Sequence, residues 1–192
     1  MKFKVLFTSI LFFQSAVFAC LDLGGSLKIC AGDTIYNDRV HKLQAVGLSQ
    51  KSNSVLAKDY KDQSVPYKVQ DLFASRGCRH DVCIDDTVYF RDRDLYAPLR
   101  ASKIVAIRTQ FASVVLIDGD NKPEGYSVDD LYTTTGYNEY VSVGDTVYHG
   151  LVFPQGAKVV AVSKKSKKLV IVQDNSTSSL QLYRADYLDV FK

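Results

Sequence analysis

The 192-residue chain contains no tryptophan, only three histidines, and no long segment with the 3.6-residue apolar period of an amphipathic helix. The missing helical period favours a fold built from strands. No HExxH or GxSxG motif occurs, so the signatures of zinc proteases and serine hydrolases are absent. After residue 19, no apolar run is long enough to cross a bilayer. The sequence therefore predicts a non-catalytic β protein without a cofactor or a metal site.

The first 19 residues have the composition of a secretory signal peptide. Two lysines precede a short apolar stretch, and Val17 and Ala19 occupy the −3 and −1 positions of a cut before Cys20. The apolar stretch is too short to span a membrane. We therefore expect export by a signal peptide at 1–19 to a periplasmic or extracellular location.

The expected mature chain also lacks a large excess of charge of one sign. Removing residues 1–19 removes two lysines and leaves 22 basic and 21 acidic residues. A nucleic-acid-binding domain normally carries a strong basic excess. The balance predicts that nucleic acid is not a partner.

Three segments repeat one pattern. A turn-and-strand motif occurs at 32–36 (GDTIY), 85–89 (DDTVY) and 144–148 (GDTVY). Each copy continues into two apolar runs, the second ending at Asp59, Asp118 or Asp174, and then into a tyrosine five residues before a leucine. This spacing predicts an internal triplication. Short runs rich in Val and Ile and broken by turn residues predict strands.

The triplication divides the chain into a signal peptide at 1–19, unit 1 at 20–76, unit 2 at 77–136 and unit 3 at 137–192. The order of motif, variable arm, central hairpin and closing Tyr-x-x-x-x-Leu resembles small SH3-like barrels of the bacterial SH3, Tudor and KOW type, over about 29–188. The resemblance implies three tandem SH3-like β-barrels, although β-sandwich-like units that share strands are an alternative. No peptide-groove motif of the ALYDY kind is present, so the ligands of those families are not transferred to this chain.

All four cysteines lie in the expected mature chain. Cys30 and Cys83 each lie three residues before the motif aspartate, and each has one upstream neighbour, Cys20 or Cys78. An even count in an exported chain predicts disulfides, with Cys20–Cys30 and Cys78–Cys83 as the symmetric pairing. The two other pairings remain open, as does lipidation of Cys20 in place of its disulfide.

The recurring residues are interpreted as structural. Motif aspartates before a strand are typical of turns, and the recurring tyrosines are typical of half-buried strand positions. Specificity is therefore sought in residues that do not recur, above all in the long arm of unit 2. The candidate ligand-binding residues there are Arg91, Arg93, Tyr96 and Arg100.

Together these features predict an exported binding or scaffolding protein of a bacterial cell envelope. Its expected partner is cell-wall glycan, a peptide or an envelope protein, engaged through the β units. An accessory or inhibitor-like module that acts on one protein partner through the unit 2 arm is the alternative. The ligand and the oligomeric state are not specified by any residue pattern.

Overall fold

The computed structural model describes residues 20–91, 97–117, 120–149, 152–166 and 168–190. These residues form β-strands, turns and three short 3₁₀ helices, so the all-β prediction is confirmed. The predicted signal peptide at 1–19 lies outside the described residues.

Unit 1 opens with a hairpin of β1 (Cys20–Asp22) and β2 (Lys28–Cys30). Its remaining elements are β3 (Thr34–Asn37), β4 (Lys42–Ser49), β5 (Ser54–Lys58), β6 (Ser64–Lys68), the 3₁₀ helix η1 (Val69–Asp71) and β7 (Leu72–Ala74).

Unit 2 follows the same order, beginning with the hairpin of β8 (Cys78–Arg79) and β9 (Val82–Cys83). Its remaining elements are β10 (Thr87–Arg91), β11 (Leu99–Arg108), β12 (Ser113–Ile117), β13 (Pro123–Ser127), η2 (Val128–Asp130) and β14 (Tyr132–Thr133).

Unit 3 replaces the opening hairpin with a single bridge between Tyr137 and Ser142. Its elements are β15 (Thr146–His149), β16 (Phe153–Ser163), β17 (Leu169–Asp174), β18 (Leu180–Arg184), η3 (Ala185–Tyr187) and β19 (Asp189–Val190).

Fifteen of the described strands form one continuous sheet. Within each unit the long second strand pairs with its neighbours in a meander, and the short last strand pairs with the first strand. The last strand also reaches the next unit, because β7 pairs with β11 and β14 pairs with β16. Neighbouring units therefore share backbone hydrogen bonds.

Each long strand contains one register shift at the same repeat position. The shifts fall between Ala45 and Gly47, between Ile104 and Ala106, and between Val159 and Ala161. An extra residue in one strand bends it and increases its twist. The bend lets one long strand pair with the first strand of its own unit near its start and with the preceding unit near its end.

The apolar side chains form two main cores and one smaller cluster. Units 1 and 2 share a core to which the first hairpin contributes Leu21, Leu27 and Ile29, whereas unit 3 has its own core. Tyr36 and Phe73 of unit 1 form the smaller cluster with residues of unit 2. The first hairpin also bonds directly to unit 2, because the hydroxyl of Ser26 accepts the N–H of Cys78 at 2.8 Å.

The structure confirms the symmetric disulfide pairing, Cys20–Cys30 and Cys78–Cys83. Each bond joins the two strands of an opening hairpin, since the paired cysteines face each other in register. Each bond therefore closes a separate hairpin that precedes the first strand of its unit.

Candidate binding surface on unit 3

The motif aspartates hold the turn before the first strand of each unit. Asp33, Asp86 and Asp145 each accept the backbone N–H of the residue three positions earlier, at 2.7 to 2.8 Å. A carboxylate that accepts a backbone N–H in this way fixes a turn. This geometry supports a structural role for the most conspicuous repeated acid.

In each unit, the tyrosine that lies five residues before the closing leucine packs against a core. Tyr67 and Tyr126 are half-buried against the shared core, and Tyr183 is half-buried against the core of unit 3. The hydroxyl of Tyr183 lies 3.0 Å from Nδ1 of His149, at the base of the unit 3 arm. These rings are largely used in packing.

The unit 2 arm is described only at its base, because Arg93 and Tyr96 lie outside the described residues. Arg91 faces Leu99 across the β10–β11 pair, and Arg100 faces the buried Phe90. Consecutive residues of a strand point to opposite faces, so Arg91 and Arg100 lie on different sides of the sheet. The proposed grip of the arm on a partner stays a prediction.

Arg91 lies on the same face of β10 as Tyr89, which pairs with Tyr132 of β14. Burial raises the pKa of Tyr132, and the positive charge of Arg91 acts in the opposite direction by favouring the phenolate. Tyr132 lies in β14, the strand that pairs with unit 3. Arg91 and Tyr132 therefore lie on the same face of the sheet.

Sequence reasoning missed a set of exposed tyrosines on unit 3. Tyr137 is 80% exposed, and Tyr140 and Tyr187 are exposed as well. Tyr137 and Tyr140 lie in the loop at 137–142, where the Asn138 side chain accepts the backbone N–H groups of Tyr140 and Val141, both at 2.9 Å. These bonds fix the loop, so both rings are presented from an ordered backbone.

Two clefts adjoin this loop and share Asn138 and Glu139 in their walls. The first, of about 490 Å³, is lined from unit 2 by Thr133 and from unit 3 by Tyr137 and Lys164, among others. The second, of about 460 Å³, contains Tyr140. Both volumes lie in the range of small-ligand sites.

Two charged pairs involve side chains of unit 3. The Nζ of Lys164, which lines the first cleft, lies 3.7 Å from Oδ2 of Asp81 in unit 2. Arg184 donates to Asp186 at 2.6 Å, and its guanidinium lies 4.5 Å from the centre of the Tyr187 ring. The hydrogen bond from Arg184 lowers the pKa of Asp186.

This arrangement suits recognition by stacking and hydrogen bonding. A tyrosine ring offers a flat apolar face and a polar hydroxyl at its tip. Glu139 and Lys164 add an acceptor and a donor beside Tyr137 in the first cleft. Such a surface matches ligands that combine apolar faces with many polar groups, as sugars and peptides do.

A comparison with models of known protein families found no match, and a search of curated proteins found none. Among the described residues, no helix is long and apolar enough to cross a membrane.

Proposed function

We propose that this chain is an exported, non-catalytic binding or scaffolding protein of a bacterial cell envelope. It binds cell-wall glycan, a peptide or an envelope protein through its β units. The observation that carries the proposal is the pair of exposed tyrosines, Tyr137 and Tyr140, held on an ordered loop between two clefts. Large exposed aromatic side chains beside a cleft are typical of binding surfaces.

Export is supported by the two disulfides together with the signal-like residues 1–19. Disulfides persist in the periplasm and outside the cell, whereas the cytosol keeps thiols reduced. Pairing of Cys20 with Cys30 uses the sulfur that a lipid anchor would need, which favours an unlipidated protein.

Three tandem SH3-like units are part of the proposal. In its support, each unit has a meander of four strands, a three-residue 3₁₀ helix and a short fifth strand paired with the first. The second strand bends at the same position in every unit. The bend allows one strand to take part in both sides of a small curled sheet.

Cosedimentation with purified cell wall tests the proposal. We expect the wild-type protein to pellet with the wall, and the double variant Tyr137→Ala/Tyr140→Ala to lose affinity by roughly tenfold or more. Tyr60→Ala is the matched control, because Tyr60 is 85% exposed on unit 1, far along the chain from the clefts. A pull-down from envelope extract with the same three proteins covers peptide and protein partners.

The outcomes separate the hypotheses. Wild-type protein that stays in the supernatant, together with a pull-down that returns no envelope protein, contradicts the proposed function. If replacing Arg91, Arg93 and Arg100 by alanine removes the partner while the tyrosine variant keeps it, the accessory or inhibitor-like module acting through the unit 2 arm is the better account.

A further inference from the structure

The junction between units 1 and 2 and the junction between units 2 and 3 have the same strand pairing. In the first, Phe73 of β7 faces Arg108 of β11, and the N–H of Thr109 donates to the carbonyl of Leu72 at 3.3 Å. In the second, the strand β14 pairs with the end of β16 in the same register. There the N–H of Lys164 donates to the carbonyl of Leu131 at 3.0 Å. The last strand of a unit thus adds to the end of the next unit's long strand.

Side chains complete the first junction. Tyr36 and Phe73 from unit 1 pack with Ala106 and Val115 from unit 2, and all four are buried. Val40, in the arm of unit 1, packs against the same cluster. A junction therefore consists of a donor face, made by the first strand, the arm and the last strand of one unit, and a receiving face, made by the long strand and its neighbour in the next unit.

Unit 1 has the same receiving face, but no unit precedes it among the described residues. The face consists of Val46, Gly47, Leu48, Leu56 and Pro66, by alignment with the covered residues of unit 2. Leu56 is 42% exposed, whereas the aligned Val115 and Ile171 are fully buried. Within the described part of the chain, Leu48 and Ser49 pair only with β5.

Unit 3 has the same donor face, and no later unit covers it in the described residues. The face consists of Tyr148, Val152 and residues 188–190. Val152 matches Val40, since each N–H donates to the carbonyl three residues earlier, and yet Val152 is exposed. The strand β19 pairs only with β15 in the described structure, whereas β7 and β14 each have strands on both sides.

We propose that the donor face of one copy binds the receiving face of a second copy, so that the protein associates head to tail. The internal register places Val190 opposite Leu48 and Asp189 opposite Ser49 of the second copy. The carbonyl of Leu188 then accepts the N–H of Gln50, as the carbonyls at the internal junctions accept theirs. Exposed strand edges pair readily with another chain. The internal junctions show that the last strand of a unit is complementary to the end of a long strand, which a second copy presents in unit 1.

The contact is weaker than the internal junctions. Asp189 stands where β7 has Phe73 and β14 has Tyr132, so the copy-to-copy contact lacks one aromatic ring. A charged residue on an edge strand also limits uncontrolled pairing. We therefore expect reversible association that grows with concentration.

The two faces differ, so the interface is heterologous. Such contacts build open chains or closed rings rather than a dimer with two equal halves. A symmetric dimer is not compatible with the proposed pairing.

Sedimentation velocity of the purified protein from micromolar to millimolar concentration tests the proposal. We expect the mean mass of the wild-type protein to rise above that of a monomer, and Leu56→Lys to keep the protein monomeric. Asp189→Tyr restores the missing ring and should tighten association by roughly tenfold. Circular dichroism of each variant checks that the fold is retained.

A matched pair of variants separates the receiving face from a general effect of surface charge. Val46 and Val65 are both 39% exposed in unit 1. Val65 faces Ala57, whose side chain lies in the core, so Val65 projects away from the receiving face. We expect Val46→Lys to abolish association and Val65→Lys to leave it unchanged.

Mixing two variants tests the polarity of the contact. Leu56→Lys keeps a working donor face, and Val152→Lys keeps a working receiving face. Each alone should be monomeric, and an equimolar mixture should form a dimer of one copy of each. Wild-type protein that remains monomeric at every concentration, a symmetric dimer, or a mixture that stays monomeric would each overturn the proposal.

Discussion

The Nε of Arg76 donates to Oδ1 of Asp33 over 2.6 Å and joins the opening turn of unit 1 to the chain that enters unit 2. The other carboxylate oxygen of Asp33 accepts the N–H of Cys30 at 2.8 Å. Asp33 is buried and Arg76 is mostly exposed. The buried carboxylate therefore depends on a partner that reaches it from the surface.

Replacing Arg76 by methionine keeps the apolar stem and removes the charged partner of Asp33. We expect a loss of about 1–2 kcal/mol in the free energy of unfolding, because a buried carboxylate loses a charge-assisted hydrogen bond. Urea denaturation followed by circular dichroism measures the loss. In an Asp33→Asn background the same replacement should cost less than about 0.5 kcal/mol, and an equal cost in both backgrounds contradicts the pairing.

Gly77 and Gly136 stand at equivalent positions, and their surroundings predict different costs of substitution. Both have positive φ, +96° and +107°. A Cβ on Gly77 would lie 1.9 Å from the carbonyl oxygen of Ser26, whereas one on Gly136 meets no atom within 4 Å. The chain at Gly77 is therefore held against the first hairpin, and the chain at Gly136 has no such contact.

We expect Gly136→Ala to cost about 1 kcal/mol, the ordinary penalty for a left-handed backbone with a side chain. Gly77→Ala should cost at least about 2 kcal/mol more, since the backbone of Ser26 must move. Thermal and urea denaturation of both variants give the comparison. Equal losses would show that the first hairpin does not press on Gly77.

The strands follow from local patterns, and the shared repeat position of Cys30 and Cys83 favoured the disulfide pairing that the structure shows, although two other pairings were open from the sequence. The junctions between units could not be predicted in this way. They are made largely by backbone hydrogen bonds, and the residue pattern does not show which backbone groups will pair. The exposure of Tyr137 also depends on the fold around it. Tyr137 and Tyr140 do not recur among the units, so they meet the same criterion that points to the unit 2 arm.

A third disulfide should form in unit 3 after Tyr137→Cys and Ser142→Cys. These residues form a bridge at the position where unit 2 has Cys78 and Cys83, with the same separation along the chain. We expect the mass to fall by two hydrogens and the stability to rise by about 1–3 kcal/mol. Ser142→Cys alone should retain a free thiol and show no gain, and a double variant with two free thiols contradicts the equivalence of the hairpins.

Asp174 should make unit 3 sensitive to acid. Its carboxylate accepts the hydroxyl of Ser176 and the backbone N–H groups of Ser176 and Thr177, and the Ser176 hydroxyl is the largest cause of a lowered pKa. A pKa below its unfolded value means that the stabilisation is present above about pH 4 and is lost as the pH falls through the folded-state pKa. Asp174→Asn should therefore destabilise the protein at pH 7 and have less effect as the pH falls through the folded-state pKa. Ser176→Ala should move the acid transition to higher pH, and variants that lose equal stability above and below the folded-state pKa would contradict this assignment.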